Sequence, residues 1–480
     1  MFEILTSIFE SLFKILFELL SMLFGSSEKK GYHASFASEG VLLSRWNKGF
    51  SLTGRKQITV KDSFTNCLVT GSTGSGKTQV TLLSSLFAMR GSFIVADPSG
   101  ELFKSSAGYL EHEGYIVKVL HFGNADISCG FNPLSRANTQ NEIQKLAAML
   151  VRTALSGGKA SDPFWETQAT TLLAILIAIL KTQPEEYQNL YNVRQLLNQL
   201  GEKADEGSSN PVDALFVRYA DPVLYNEYKS FIAYDDKLLT SIIASAKSAL
   251  TLFANDTVAR VTASDTIDFS EFRKRPTVLY LQSSISDMAY FSVLNAIFFE
   301  QLTSYLLSRF PEEDEQNIFV LMDEFGSMAK VPVLPAAFAN VRKFRAGFMA
   351  IVQDFNQIVN AYGKADAETI RTNCSSKVYF GGGGLEATKE LSDILGKTQI
   401  KTEDGKHETV PLLTNDSIRM LKPNRALLIC GSHPPILAHV RPAYKSFRFR
   451  AYMAVQPPVM HGDTASSVSI LPLGINRYGS

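Results

Sequence analysis

No two cysteines in this chain stand at C-x-x-C spacing. Cys67, Cys129, Cys374 and Cys430 are scattered over 480 residues, a pattern that speaks against a zinc site and a disulfide framework and fits a reducing cytoplasm. The seven histidines form no H-x-x-x-H pair, so the common helical metal motif is missing as well. Net charge is absent too: 47 Lys+Arg balance 47 Asp+Glu, and no global basic field announces a nucleic-acid partner. Any such contact has to be local, for instance in loops lining a pore. No internal repeat is visible. What remains is a chain with 45% hydrophobic residues, long enough to bury a large core and to divide into two or three domains.

Charge is nearly missing from one stretch. Residues 2–24, FEILTSIFESLFKILFELLSMLF, are almost all apolar, yet Glu3, Ser7, Glu10, Lys14, Glu18 and Ser21 recur at helical spacings and so share one stripe of a helix. Three glutamates and a lysine are costly in an isolated spanning helix. The segment is therefore expected to lie as an amphipathic helix in a membrane interface, or to join a bundle that shields its stripe. Gly25-Ser26-Ser27 breaks it, and Lys29 and Lys30 stand where a cytoplasmic flank puts them. A signal peptide fits poorly, because the basic n-region is lacking. A soluble helix packed on the protein's own core is the competing reading.

Short β-rich runs bounded by Gly, Pro or Asp occur at 66–70, 92–96, 115–120, 277–281, 318–322, 347–352, 377–381 and 426–430. Several are apolar at consecutive positions, as strands covered on both faces are. They predict a doubly wound α/β fold with a mostly parallel sheet. Between about 140 and 265 no convincing strand occurs. There EIQKLAAMLVRTAL, WETQATTLLAILIAILKT and LLTSIIASAKSALTLF have helical periodicity. The expected organisation is an N-terminal membrane-associating helix over 1–30, a nucleotide-binding domain in two parts over 31–139 and 266–446, an inserted all-α domain over 140–265, and a flexible tail over 447–480. The tail, with Pro457-Pro458 and many Ser and Gly, is expected to trail over the surface.

Cys67-Leu68-Val69-Thr70 runs directly into Gly71-Ser72-Thr73-Gly74-Ser75-Gly76-Lys77-Thr78, and 79–89 is compatible with a helix. Strand, glycine-rich loop and helix are what a phosphate-binding loop requires. Glycines let backbone N–H groups converge on phosphate oxygens at a helix N-terminus, Lys77 reaches the β/γ-phosphates, and the Thr78 hydroxyl coordinates Mg²⁺. The chain is thus read as a RecA-like P-loop NTPase whose cofactors are ATP and Mg²⁺. Such a site also needs a carboxylate at the end of a neighbouring apolar strand, and the run 318–322 ends in Asp323-Glu324. Asp323 is expected to bind Mg²⁺, directly or through water, and Glu324 to polarise the attacking water.

Around this loop, further pieces follow in a fixed order: Asp97-Pro98-Ser99-Gly100-Glu101, Phe131-Asn132-Pro133-Leu134, Asp162-Pro163-Phe164-Trp165, Leu321-Met322-Asp323-Glu324-Phe325-Gly326, Gln353-Asp354-Phe355-Asn356-Gln357 and Tyr362-Gly363. Over roughly residues 65–445 the chain resembles the type IV secretion system coupling proteins, the TraG/TraD-like conjugative DNA-transfer ATPases. These are similar in turn to FtsK-like and HerA-like DNA translocases. The resemblance implies a homohexameric, DNA-stimulated ATPase at the cytoplasmic face of the bacterial inner membrane. Its partners would be single- or double-stranded DNA, a relaxase or secreted protein substrate, and the components of a type IV secretion channel.

The resemblance also implies roles for single residues. Gln353 would end its strand as an amide that senses the γ-phosphate or orients water. Arg342, in Val341-Arg342-Lys343-Phe344, would be an arginine finger inserted by a neighbouring subunit, with Arg345 as the rival. Trp165 is expected to anchor the packing of the helical domain rather than to stack on bases. Two departures stand out: Ser99 takes a place where the family often has lysine, and one amphipathic segment stands where members usually carry two transmembrane helices. Two other functions stay open, a soluble FtsK/HerA-like DNA translocase and an ATP-switched docking receptor for secreted protein effectors. No basic-aromatic repeat is evident that would mark a grip on DNA.

Overall fold

The computed structural model describes residues 34–155, 163–201 and 210–473. The expected membrane-associating helix and Asp162 lie outside the described residues. Eleven strands are present among them: β1 Cys67–Thr70, β2 Ser92–Ala96, β3 Ile116–His121, β4 Thr277–Gln282, β5 Ile318–Met322, β6 Ala346–Val352, β7 Ser376–Tyr379, β8 Lys397–Lys401, β9 His407–Pro411, β10 Arg425–Cys430 and β11 Ile436–His439. Nine of them form one sheet in the order β11-β10-β7-β1-β6-β5-β2-β4-β3. The pairings among β1 to β7 are all parallel, and β10 runs antiparallel to both of its neighbours.

Consecutive apolar residues in the strands feed opposite faces, because side chains alternate across a pleated sheet. Leu68, Ile94, Leu120, Leu279 and Val320 join the larger core on one face. Val69, Phe93, Val95, Val119, Tyr280 and Phe319 join a second core on the other, together with the helices Leu82–Ala88 and Glu101–His112. That double coverage explains why these strands read as unbroken hydrophobic runs.

Between β3 and β4 the described residues contain helices and no strand. The region opens with a capping box at Thr139, whose hydroxyl accepts the Glu142 N–H (3.3 Å) while the Glu142 carboxylate accepts the Thr139 N–H (2.9 Å). Such reciprocal bonds satisfy N–H groups that a helix start leaves unpaired, so the helix Gln140–Leu155 begins there. Pro163–Leu180 is the one described helix long and apolar enough to cross a membrane. Nine of its residues are buried, in the core it shares with the sheet face and the helices around it. Trp165 packs half-buried against the same core.

Three expectations need correction. β8 and β9 form a separate antiparallel hairpin that polar composition hid: nearly every residue of it faces solvent, so no alternation marks it. β11, four residues long just after Pro434-Pro435, was also missed. Residues 447–473 do not trail over the surface. Phe447–Met453 is a helix packed on Glu101–His112, where Tyr452 stacks on Tyr109 at 3.8 Å. Beyond it the chain crosses beside β3: the Gly462 N–H donates to the Asp126 carbonyl (2.7 Å) and the Asp463 N–H to that of Ser128 (3.1 Å). It ends in the larger core, with Leu471 buried. The Ser and Pro content predicted a loop but concealed its backbone partners.

Candidate active site

The parallel sheet brings the C-terminal ends of β1, β5, β6 and β2 to one edge. β1 ends in the glycine-rich loop, which turns into the helix Lys77–Val80. Gly76, directly before that helix, has φ +89°, a left-handed conformation that costs a residue with a Cβ about 1 kcal/mol or more. Gly71 is constrained differently: a Cβ there would stand 2.6 Å from that of Phe380. Beyond Gly74, by contrast, nothing lies within 4 Å of where a Cβ would be, leaving the loop's crest open.

Lys77 is only 8% exposed. Its Nζ donates to the carbonyls of Gly71 (2.6 Å) and Ser72 (2.8 Å). Burial lowers its pKa, against the opposing pull of Asp323 and Glu324. The Thr78 hydroxyl lies 3.2 and 3.1 Å from the two carboxylate oxygens of Asp323, 245 positions away in sequence. Their strands are not neighbours as expected, because β6 lies between β1 and β5. Thr78 spans the gap because it sits one residue into the helix that leaves the loop.

Asp323 is pushed up to about 6 by burial, helped by the nearby charges of Glu324 and Asp97, while the Thr78 hydrogen bond pulls the other way. Glu324 is exposed and has φ +51°, one of only three non-glycine residues at positive φ among the described residues. Such backbone conformations persist where the surroundings over-determine them, as functional sites do. Gln353 follows β6 directly, beside Thr70 through the Thr70–Val352 register. Its side chain is exposed and its N–H donates to Gln357 Oε1 (3.0 Å).

The two candidate fingers part company. Both stand at the opposite edge of the sheet, just before β6, and the six steps from Ala346 to Val352 put them about 20 Å from this chain's own loop. The Arg345 guanidinium is used up by the fold: it donates to Asn317 Oδ1 (3.0 Å) and to the carbonyls of Glu312 (2.7 Å), Glu313 (3.1 Å) and Glu315 (2.6 Å). Arg342 is exposed and makes no side-chain hydrogen bond or ion pair among the described residues.

Three participants were missed at the sequence level. Asp97, fully buried at the end of β2, accepts the N–H groups of Leu102 (3.1 Å) and Phe103 (2.8 Å) and so caps the helix Glu101–His112. Burial pushes it too up to about 6. An acid closing an apolar strand before Pro-Ser-Gly was the available signal. The run Gly381-Gly382-Gly383-Gly384 was another: the Ser72 hydroxyl donates to the Gly381 carbonyl (3.2 Å), and a Cβ on Gly382 would stand 2.4 Å from that hydroxyl. Third, Gln357 packs so tightly on the turn after Glu324 that a Cβ on Gly326 would meet its side chain at 2.6 Å.

The residues fit a magnesium nucleotide. The Ser75 hydroxyl is buried in the loop with no partner, the crest is open, and a lysine, a hydroxyl and a carboxylate converge below it. A family model described as type IV secretory system conjugative DNA transfer matches residues 39–456.

The chain belongs to that family.

Two curated relatives are Protein VirD4 of Agrobacterium fabrum, 23% identical over 77% of this chain and 57% of its own length, and conjugal transfer protein TraG of Escherichia coli, 24% identical over 82% and 64%. The chain thus spans about three-fifths of these relatives. The fold is that of the plasmid coupling protein TrwB: its complex with ADP and Mg²⁺ superposes with a TM-score of 0.66 at 16% identity, covering 90% of this chain and 99% of that one. TrwB has also been solved with a non-hydrolysable ATP analogue, at TM-score 0.64 and 15% identity over 93% of this chain and 99% of that one.

Proposed function

We propose that the chain is an ATP-driven coupling protein, a homohexamer that delivers a DNA–relaxase or protein substrate to a type IV secretion channel from the cytoplasmic face of the bacterial inner membrane. The observation that carries this reading is the meeting of Lys77, Thr78, Asp323 and Glu324 at one sheet edge, within a chain matched by the DNA-transfer family model over 39–456. TrwB, with the same fold, was solved with ADP and Mg²⁺, which supports the same cofactors here. In this reading 31–139 and 266–446 make the nucleotide-binding domain, 140–265 an inserted recognition domain, and 1–30 the membrane-associating segment.

The backbone of Ser72 to Lys77 would hold the phosphates, and Thr78 with Asp323 the metal. Bound Mg-ATP would supply an electrophilic γ-phosphorus, with the metal partly neutralising the negative charge of the phosphate oxygens. Lys77, freed from the two loop carbonyls it now contacts, places its charge on the β/γ oxygens. The Glu324 carboxylate accepts a proton from the attacking water, and the Gln353 amide orients that water. Arg342 cannot serve its own site from the far edge of the sheet, so it would complete the site of the next copy in the ring.

The test is ATP turnover by the full chain, alone and with single- or double-stranded DNA. Hydrolysis that rises with DNA and with assembly, and is lost in Lys77→Ala, is expected. Turnover in Lys77→Ala equal to wild type would remove the site. Turnover indifferent to DNA would favour a docking receptor switched by ATP.

A further inference from the structure

The nucleotide loop is not the molecule's only concentration of positive charge. A concavity of about 280 Å³ is lined by Arg45, Lys48, Arg55, Arg441 and Arg448, with no carboxylate on its wall. None of the five forms a salt bridge among the described residues. Glu39, six residues before Arg45, is already paired with Lys56 at 2.8 Å. Arg441 donates to the Lys445 carbonyl and Arg448 to the Tyr452 hydroxyl, but neutral oxygens leave the charge uncompensated. In a chain of balanced charge, five cations around one cup without a carboxylate call for an anion.

The cup is built rather than incidental. Its two chain segments are stitched by the Arg441 N–H donating to the Thr53 carbonyl at 2.8 Å. Gly54 lies so close that a Cβ would meet the Arg441 carbonyl at 1.9 Å. Phe87 and Ala88 also line it, at the far end of the two helices that start at Lys77. At 1.5 Å per residue the cup is about 16 Å from the phosphate-binding end, too far to share an anion with it.

Its rim is apolar. Trp46, next to Arg45, is 88% exposed, and Phe447, next to Arg448, is 82% exposed. Neither takes part in a ring–ring contact among the described residues. Exposed aromatics beside arginines and lysines are the composition of a bilayer interface, where rings settle at headgroup depth and cations meet lipid phosphates. A strand of nucleic acid would instead favour an extended groove with successive stacking rings. The apolar segment 2–24 precedes Ala34, where the described chain begins, by ten residues and Arg45 by 21, so the cup stands close in sequence to the segment read as membrane-associating.

We infer that this concavity is a second membrane contact, binding the phosphate of an anionic phospholipid while Trp46 and Phe447 enter the interface. The inference rests on the membrane reading of the N-terminal segment. Trp46 provides its own reporter, since the chain has only one other tryptophan, Trp165.

The full chain carrying Trp165→Phe is mixed with vesicles of phosphatidylcholine alone or with about 30 mol% phosphatidylglycerol, a mixture that sets a negative surface potential. Trp46 emission should shift to the blue, and be quenched by brominated acyl chains, with the anionic vesicles only. Replacing Arg45, Arg55 and Arg441 by alanine should weaken that response about fivefold per cation, with ATP turnover unchanged. Glycerophosphate at equal phosphate concentration should leave the emission unmoved; a shift with it would make the ligand a free phosphate and overturn the lipid assignment. Vesicle-bound protein whose Trp46 does not respond overturns this inference while sparing the membrane reading, and no vesicle binding at all overturns both. A response to an oligonucleotide but not to anionic vesicles would make the cup a nucleic-acid contact instead. Emission already blue-shifted without lipid would mean that copies of the chain cover it.

Discussion

The two edges of the central sheet bury different charged groups, and they stabilise them differently. At the C-terminal edge Asp97 and Asp323 are held up to about 6 by burial, and Lys77 is held among carbonyls with its pKa lowered. At the N-terminal edge Arg273, 3% exposed and lowered to about 10 by burial, donates to the carbonyls of Gln316 (2.9 Å) and Phe344 (2.6 Å), and Arg345 does the same with its own set. A carboxylate that titrates near neutrality leaves room for a metal to take the place of the proton. A guanidinium cannot discharge, so when buried it is fixed permanently by backbone. One edge thus gathers groups whose charge can change, the other cations held by backbone carbonyls, and at that second edge Arg342 stays exposed.

The sharpest way to break this contrast is to exchange roles between edges. Arg342→Ala should cut turnover by about 10³ to 10⁵ with nucleotide binding intact, as loss of a finger does, and should leave the melting temperature unchanged. Rings that combine Arg342→Ala with Lys77→Ala copies should regain part of the activity, since an intact loop can then face an intact arginine. Verified mixed rings without recovery would end the in-trans assignment.

Next in size is Glu324. Glu324→Gln should bind ATP yet hydrolyse it at least about a hundredfold more slowly, because the amide cannot accept the proton. Glu324→Gly should be equally inactive but more stable by about 1 kcal/mol, since glycine relaxes the left-handed backbone. Loss of nucleotide binding in the glutamine variant would move Glu324 from catalysis to metal binding.

Arg345→Ala should behave in the opposite way to Arg342→Ala. It removes four hydrogen bonds that hold 312–317 against the start of β6, and denaturation should show a loss of about 4 kcal/mol. A stable but inactive Arg345→Ala would make that residue the finger.

The smallest effect is on pH dependence. Asp97 has a folded pKa near 6 against an ordinary 3.8, so the folded chain keeps its proton longer than the unfolded one. Its contribution therefore declines as pH rises from about 4 to about 6, by roughly 2–3 kcal/mol, and is level above that. Stability of wild type minus that of Asp97→Asn, measured without nucleotide, should fall across this window. A difference that rises with pH would mean that Asp97 is stabilised as a carboxylate.

Much of the candidate site was legible because its residues sit in contiguous motifs tied to strand ends. Gly71 to Thr78 follows an apolar strand, and Asp323-Glu324 closes another. The eight expected strands all exist, two with the expected bounds and six within one or two residues of them, since runs buried on both faces announce themselves. Asp97 was quoted only as part of a motif, because nothing in one dimension says that its carboxyl is buried beside Asp323. Arg342 and Arg345 were indistinguishable until their partners were known. Part of the basic cup was visible in one stretch, where Arg441 and Arg448 stand among Tyr444, Phe447 and Phe449, without the regular spacing of a basic-aromatic repeat. A net charge of zero masked it, and its other half lies almost 400 positions away.

The chain's final crossing has a consequence for how the protein is made. Asn192, buried between helices, accepts the Leu471 N–H across 279 positions, and its amide donates to the Ser469 carbonyl. At about 5 to 20 residues per second of synthesis, that side chain waits from roughly fifteen seconds to a minute after emerging before its partners exist. The helical region is therefore completed last, by residues translated long after it. A ribosome that stops short of them releases a chain with every motif of the proposed site in place and Asn192 still without these two partners.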